Sequence, residues 1–152
     1  MSVTFRSVEG RPLEPLLGRL LDEEVFRGRR VLVLLEGVER LRALDAALWT
    51  FDPASFVPHG TAGDGLDGEH PVLLATEVTR VNGADVAVIL EDAMPSALPV
   101  EGIEAWHYVF DAREPWARER GRERWRALSA DGHELTFLEA GPDGWQPRGR
   151  RR

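Results

Sequence analysis

The chain has 152 residues, 43 % of them apolar and 8 % aromatic, with a formal net charge of -7. That profile fits one folded domain rather than a disordered segment. Cysteine is absent, which excludes a disulfide framework, a thiolate zinc site and a cysteine nucleophile. No apolar run approaches the roughly 20 residues of a membrane span, and the opening MSVTFRSVEGRP lacks the apolar stretch of a secretory signal. A cytoplasmic protein with no membrane partner is therefore expected.

In chain order, Val3 to Val8 alternates apolar and polar positions, the period of a half-buried strand. After Pro12, residues Leu13, Leu16, Leu17, Leu20, Leu21 and Val25 recur at helical spacing, and Gly28 stands where that helix should stop. Arg30 to Leu35 (RVLVLL) is a short, continuously apolar run, as in a strand covered on both faces. Gly37 to Thr50 predicts a second helix with Val38, Leu41, Leu44, Ala47 and Leu48 on one side. Pro53, Pro58 and a cluster of glycines make Asp52 to His70 a loop. PVLLAT (from Pro71) and DVAVIL (from Asp85) predict two more buried strands, and AWHYVF (from Ala105) a fifth. A helix then opens at Asp111 or Arg113 and runs to about Ala130, where Asp131-Gly132 ends it. GHELTFLEAG adds a short strand, and PDGWQPRGRRR a frayed tail.

Strand alternating with helix points to an α/β fold: one three-layer, Rossmann-like domain with a mostly parallel sheet over residues 1–140, and a flexible, arginine-rich tail over 141–152. Charge is unevenly spread along it. All 19 basic residues are arginine; ten lie from Arg113 onward, whereas Gly60 to Glu104 holds nine acidic residues and only Arg80. The acidic middle repels polyanions, and the C-terminal part attracts an anion locally.

Motifs for catalysis are weak. Gly63 to Gly68 matches G-x-G-x-x-G, but it precedes a strand and carries two aspartates, so no nucleotide cofactor is expected. The histidines at 59, 70, 107 and 133 show no metal-ligand spacing, and Ser55 and Ser96 lie outside any G-x-S-x-G. Glu91 and Asp92, at the end of the DVAVIL strand, occupy the edge where α/β enzymes place catalysis. A small enzyme using that edge is the alternative from a different class. Direct binding of single-stranded nucleic acid by the C-terminal helix is another.

Two constellations stand out. In WARERGRERWRAL, Arg118, Arg122 and Arg126 recur every fourth residue and form one helical ridge beside Trp125. Guanidinium forks beside an indole suit a partner with carboxylates or phosphates and an apolar group, and a solvated helix face is the competing account. In LWTFDPASFVPH, Trp49, Phe51 and Phe56 put three large aromatics within eight residues of a helix end and loop, suited either to a partner surface or to capping the core.

The second constellation carries a family likeness. RRVLVLLEGVERLRALDAALWTFDPASFVPHGTAGDG resembles the chi subunit family of bacterial DNA polymerase III, in which a helix ending D-x-x-L-W precedes S-F-[VL]-P-H and a glycine-rich turn. Here these are Asp45, Leu48 and Trp49, then Ser55, Phe56, Val57, Pro58 and His59. The later DVAVIL and RERWRAL segments, followed by Gly132 and Leu135, keep the family's order, so the likeness spans nearly the whole chain. It implies a Rossmann-like fold without a nucleotide site and a non-catalytic role at the clamp loader in DNA replication, with DNA contacted only indirectly. It further implies that Arg118, Arg122, Trp125 and Arg126 bind the acidic C-terminal tail of the single-stranded DNA-binding protein, and that Trp49 and Phe56 face the psi subunit and, through it, the clamp loader. The chain departs from the family in having Trp125 where tyrosine is frequent and Arg126 in place of lysine. It also lacks the F-Y-x-L start and adds Arg148, Arg150, Arg151 and Arg152.

Overall fold

The computed structural model describes residues 1–50, 58–90, 93, 95 and 100–147. Its elements run β1 (Ser2–Ser7), α1 (Leu13–Phe26), β2 (Val31–Leu34), α2 (Val38–Thr50), β3 (His59–Thr61), β4 (Val72–Ala75), β5 (Val86–Leu90), β6 (Ala105–Phe110), α3 (Pro115–Ala130), β7 (Glu134–Gly141) and β8 (Gly144–Pro147). The strands form one sheet in the order β3-β4-β2-β5-β6-β1-β7-β8. Every neighbouring pair is parallel except β7 and β8.

The continuous apolar runs become central strands because both faces of the sheet are covered. On one face Val31, Val33, Val72, Leu74 and Val88 pack under Leu17 and Leu21 of α1 and Leu44 and Leu48 of α2. On the other, Phe5, Leu32, Leu34, Ile89, Trp106 and Tyr108 join Ala117 and Leu128 of α3. The three-layer α/β expectation is met. Chain connectivity then places the feature that matters most for function: α3 links β6 to β7, and β1 lies between those two strands, so α3 crosses above β1.

Four local differences from the sequence expectations have physical causes. Within the expected loop, His59–Thr61 adds to the sheet as β3, with His59 opposite Val72. The final helix starts at Pro115 because Asp111 ties the preceding turn: its carboxylate accepts the N–H of Arg113 at 2.9 Å and of Gly10 at 3.2 Å. Leu135 and Phe137 reach the α3-side core, so β7 extends to eight residues rather than a short strand. Residues 144–147, expected to fray, instead pair with β7 after a two-residue turn, Pro142-Asp143. Gly144 there has φ +102, a conformation a side chain disfavours. Trp145 secures the hairpin by donating its indole N–H to the Ser7 carbonyl at 3.2 Å and covering the Arg6 guanidinium at 4.9 Å.

The G-x-G-x-x-G segment closes on itself. The Gly63 N–H donates to both Asp67 carboxylate oxygens at 3.0 Å, and the Leu66 N–H to Asp64 at 2.8 Å. Amides that would face a phosphate are thus taken by the loop's own aspartates. The Leu66 N–H, ahead of its other surroundings, holds the Asp64 carboxyl below its ordinary pKa. Among the described residues no helix is long and apolar enough to cross a membrane.

Candidate functional site

Under α3 the three strands each line one groove with a single ring: Phe110 from β6, Phe5 from β1 and Phe137 from β7. Phe5 meets Phe110 edge-on at 6.3 Å between centroids, and Phe110 meets Phe137 at 6.2 Å. Trp125 comes down from α3 onto Phe5, at 5.0 Å and 62°. These edge-to-face contacts hold the rings as a rigid apolar floor. Above it opens a groove of about 250 Å³, lined also by Ala112, Gly121, Arg118 and Arg122. Gly121 eases this approach, since a Cβ there would stand 3.0 Å from the Phe110 ring, which would have to shift by a few tenths of an ångström.

Two of the three ridge arginines therefore reach the groove with the tryptophan. Arg118 and Arg122 are exposed on its rim, and Trp125 is half-buried in its wall. Arg126 is exposed one turn further along, where its guanidinium lies 3.9 Å from Glu119, outside the groove lining. Arg122 also approaches Glu119, at 4.0 Å. Exposed pairs at such distances contribute little, about 0–1 kcal/mol. An incoming carboxylate can replace Glu119 at small cost. The cleft's chemistry is twofold: packed rings that suit an apolar group, and guanidinium donors that suit an anion.

Trp49 and Phe56 were expected to share a second surface. Trp49 is 45 % exposed at the end of α2. Its inner face lies on the His59 imidazole, 4.1 Å between centroids and 30° apart. The His59 side chain is fully buried, and its Nε2 lies 3.0 Å from the Asp45 carboxylate. Asp45, Trp49 and His59 are thus one unit: the carboxylate fixes the imidazole, and the imidazole supports the indole. Phe56, like Glu91 and Asp92, lies outside the described residues. Among the described residues, no group of three or more His, Asp or Glu side chains is arranged to hold a metal.

Sequence reasoning missed Phe5, Phe110 and Phe137. Their only sequence signal is an inward position on an alternating or apolar strand, which does not tell which strands lie side by side. It also missed the opposite flank of α3, where Trp116 is half exposed with Arg120 5.9 Å from its ring and Arg124 lies 5.1 Å over Tyr108.

The fold and its two aromatic surface clusters define a small Rossmann-like α/β protein with an arginine-rimmed groove beneath α3. The family model for the DNA polymerase III chi subunit, HolC, matches residues 1–136. The chain is 30 % identical over 127 residues to DNA polymerase III subunit chi of Escherichia coli (strain K12), covering 82 % of this chain and 83 % of that one. It is 28 % identical over 72 residues to the probable DNA polymerase III subunit chi of Rickettsia prowazekii (strain Madrid E), covering 47 % and 44 %. The chain belongs to the DNA polymerase III chi subunit family, and its role lies in DNA replication.

Proposed function

We propose that this protein is a non-catalytic adaptor of the replisome that captures the acidic C-terminal tail of the single-stranded DNA-binding protein in the groove beneath α3. The carrying observation is the coincidence of Arg118, Arg122 and Trp125 on one groove with a floor of Phe5, Phe110 and Phe137. A flexible tail with carboxylates and an apolar end matches both halves of that site. Its acids bind the guanidinium forks, with Arg126 extending the basic ridge, and its apolar end enters against Trp125. Each charge-assisted hydrogen bond contributes about 1.5–3 kcal/mol before the cost of ordering the peptide, which corresponds to micromolar affinity. The exposed Trp49 serves the psi subunit and through it the clamp loader, the role the family resemblance also implies for Phe56.

Titration of the full chain with a fluorescent peptide of the cognate tail tests the groove. Binding in the micromolar range, weakened by raised salt and about tenfold by Arg122→Ala, is the expected result. A folded wild-type protein that leaves the peptide unbound overturns it.

A further inference from the structure

Arg6 carries a charge into the fold with no counter-charge in contact. Side chains alternate along β1, so Phe5 goes to the α3 side of the sheet and Arg6 to the α1 side. There the guanidinium lies 4.9 Å from the centre of the Trp145 ring, and its Nε–H donates to His107 Nδ1 at 3.0 Å. Among the described residues the Nη donors of Arg6 have no hydrogen-bond partner. The field of Glu23 and Glu24 reaches Arg6, but neither pairs with it. Glu24 is buried against Arg27 and Arg29, at 3.7 and 3.1 Å, and Glu23 is exposed. A guanidinium taken out of bulk water in this way is costly unless something pairs with it.

Space for a partner is present. Arg6 lines a recess of about 150 Å³ between α1 and the β7–β8 hairpin, together with Leu16, Arg19, Leu20, Glu23 and Trp145. An adjoining recess of about 160 Å³ shares Leu16, Arg19 and Gly144 with it and adds Arg11. Arg19 is held at the common wall, where its Nη1–H donates to the Asp143 carbonyl at 3.2 Å. Gly144 leaves room for it, since a Cβ there would stand 2.8 Å from that nitrogen. The Asp143 contact is to a neutral oxygen, so it leaves the Arg19 charge uncompensated. Water can fill open donors without neutralising two guanidinium groups. An oxyanion does both, because its oxygens accept from the forks as charge-assisted bonds.

We propose that this recess is a binding site for a small oxyanion, a carboxylate or a phosphate group, held between Arg6 and Arg19 beside Trp145. It lies on the face of the sheet opposite the α3 groove and does not rest on the peptide-binding reading above. Glu23 limits its affinity, since that carboxylate lines the same recess and repels an anion. Arg19 belongs to α1, whereas Arg6 belongs to β1 and Trp145 to β8. An anion between them therefore ties the hairpin to the first helix.

The test follows the Trp145 indole N–H of the full chain by two-dimensional NMR, its signal identified with Trp145→Phe. The protein is titrated with inorganic phosphate, with acetate, and with sodium chloride at matched ionic strength. A saturable shift with phosphate or acetate is expected, with a midpoint of about 1–10 mM, against an unsaturable drift with chloride. Saturation by one of the two identifies which oxyanion the site takes. Arg19 is exposed on a helix, so Arg19→Ala should fold, and it should raise the midpoint about tenfold. Glu23→Gln, which removes the competing carboxylate, should lower it about threefold. Arg42→Ala, an equal loss of charge on the exposed face of α2, should stay within about twofold. A shift that saturates with neither phosphate nor acetate overturns the proposal. So does a midpoint that Arg19→Ala leaves unmoved or that Arg42→Ala raises as much.

Discussion

Arg6 and His107 meet inside the sheet, on the neighbouring strands β1 and β6. The Arg6 Nε–H donates to His107 Nδ1 at 3.0 Å, which makes Nδ1 the acceptor and leaves the ring proton on Nε2, buried with no hydrogen-bond partner among the described residues. Burial above all, then the charges of Arg6 and Arg29, lowers the His107 pKa from 6.5 to about 3. Burial likewise lowers Arg6 to about 10, against the opposing pull of Glu23 and Glu24. The sign follows from proton uptake: between pH 6.5 and about 3 the unfolded chain binds a proton at His107 that the folded chain refuses. Stability falls with pH through that window, by up to about 1.4 kcal/mol per pH unit from this one group. Thermal melts of wild type and His107→Gln from pH 7 to pH 4 should show a shallower acid decline in the variant, in which the glutamine amide can still accept from Arg6. Parallel declines would remove His107 as the cause.

Among the elements, the C-terminal hairpin is held by few contacts, so each is measurable. Trp145 spans two of them, its indole on the Ser7 carbonyl and its ring on Arg6. Arg19 adds a third, donating to the Asp143 carbonyl at 3.2 Å. Trp145→Ala uncovers Arg6 and part of the α1-side core, and a loss of about 2–4 kcal/mol is expected in denaturant unfolding. An unchanged midpoint would mean that the hairpin hangs free of the core. The same hairpin shows where sequence legibility ends. Strands β2, β4 and β5 are readable because an unbroken apolar run has no stable place except between two covered faces. Gly144–Pro147 carries no such run; its position comes from Trp145 finding Ser7 and Arg6, residues about 140 positions away. β3 is unreadable for a similar reason, since three residues beside a proline become a strand through the Asp45 contact to His59. The arginine ridge was legible because i, i+4 spacing is local. Its aromatic floor was not, because only the β6-β1-β7 order brings Phe110, Phe5 and Phe137 together.

For the whole molecule, the groove and the Trp49 cluster occupy opposite faces of the sheet and lie towards opposite edges. The groove sits over β1 on the α3 side, and the Trp49 cluster beside β3 and α2 on the other. Occupation of one should therefore leave the other open. Trp49→Ala is expected to release co-expressed psi subunit on co-purification while leaving tail-peptide affinity unchanged, and Arg122→Ala to do the reverse. A joint loss in either variant would show that the two surfaces are coupled. The uneven charge belongs to this scale too: Gly60 to Glu104 holds nine acidic residues and only Arg80, so this middle segment repels a polyanion.

The β3-β4-β2-β5-β6-β1 order has a mechanical consequence. Five strand spacings of about 4.8 Å separate β3 from β1, so partners on the two clusters would sit some 24 Å apart across the sheet. A pull between them runs transverse to the strands, along the line of the ladder hydrogen bonds. The short link in that line is β3 to β4, with three residue pairs. Beside it, α2 provides a second anchorage, through Leu44 and Leu48 in the core and Asp45 on His59. A partner gripping Trp49 would load this helix as well as the short strand, so tension enters the body of the sheet instead of peeling off its edge.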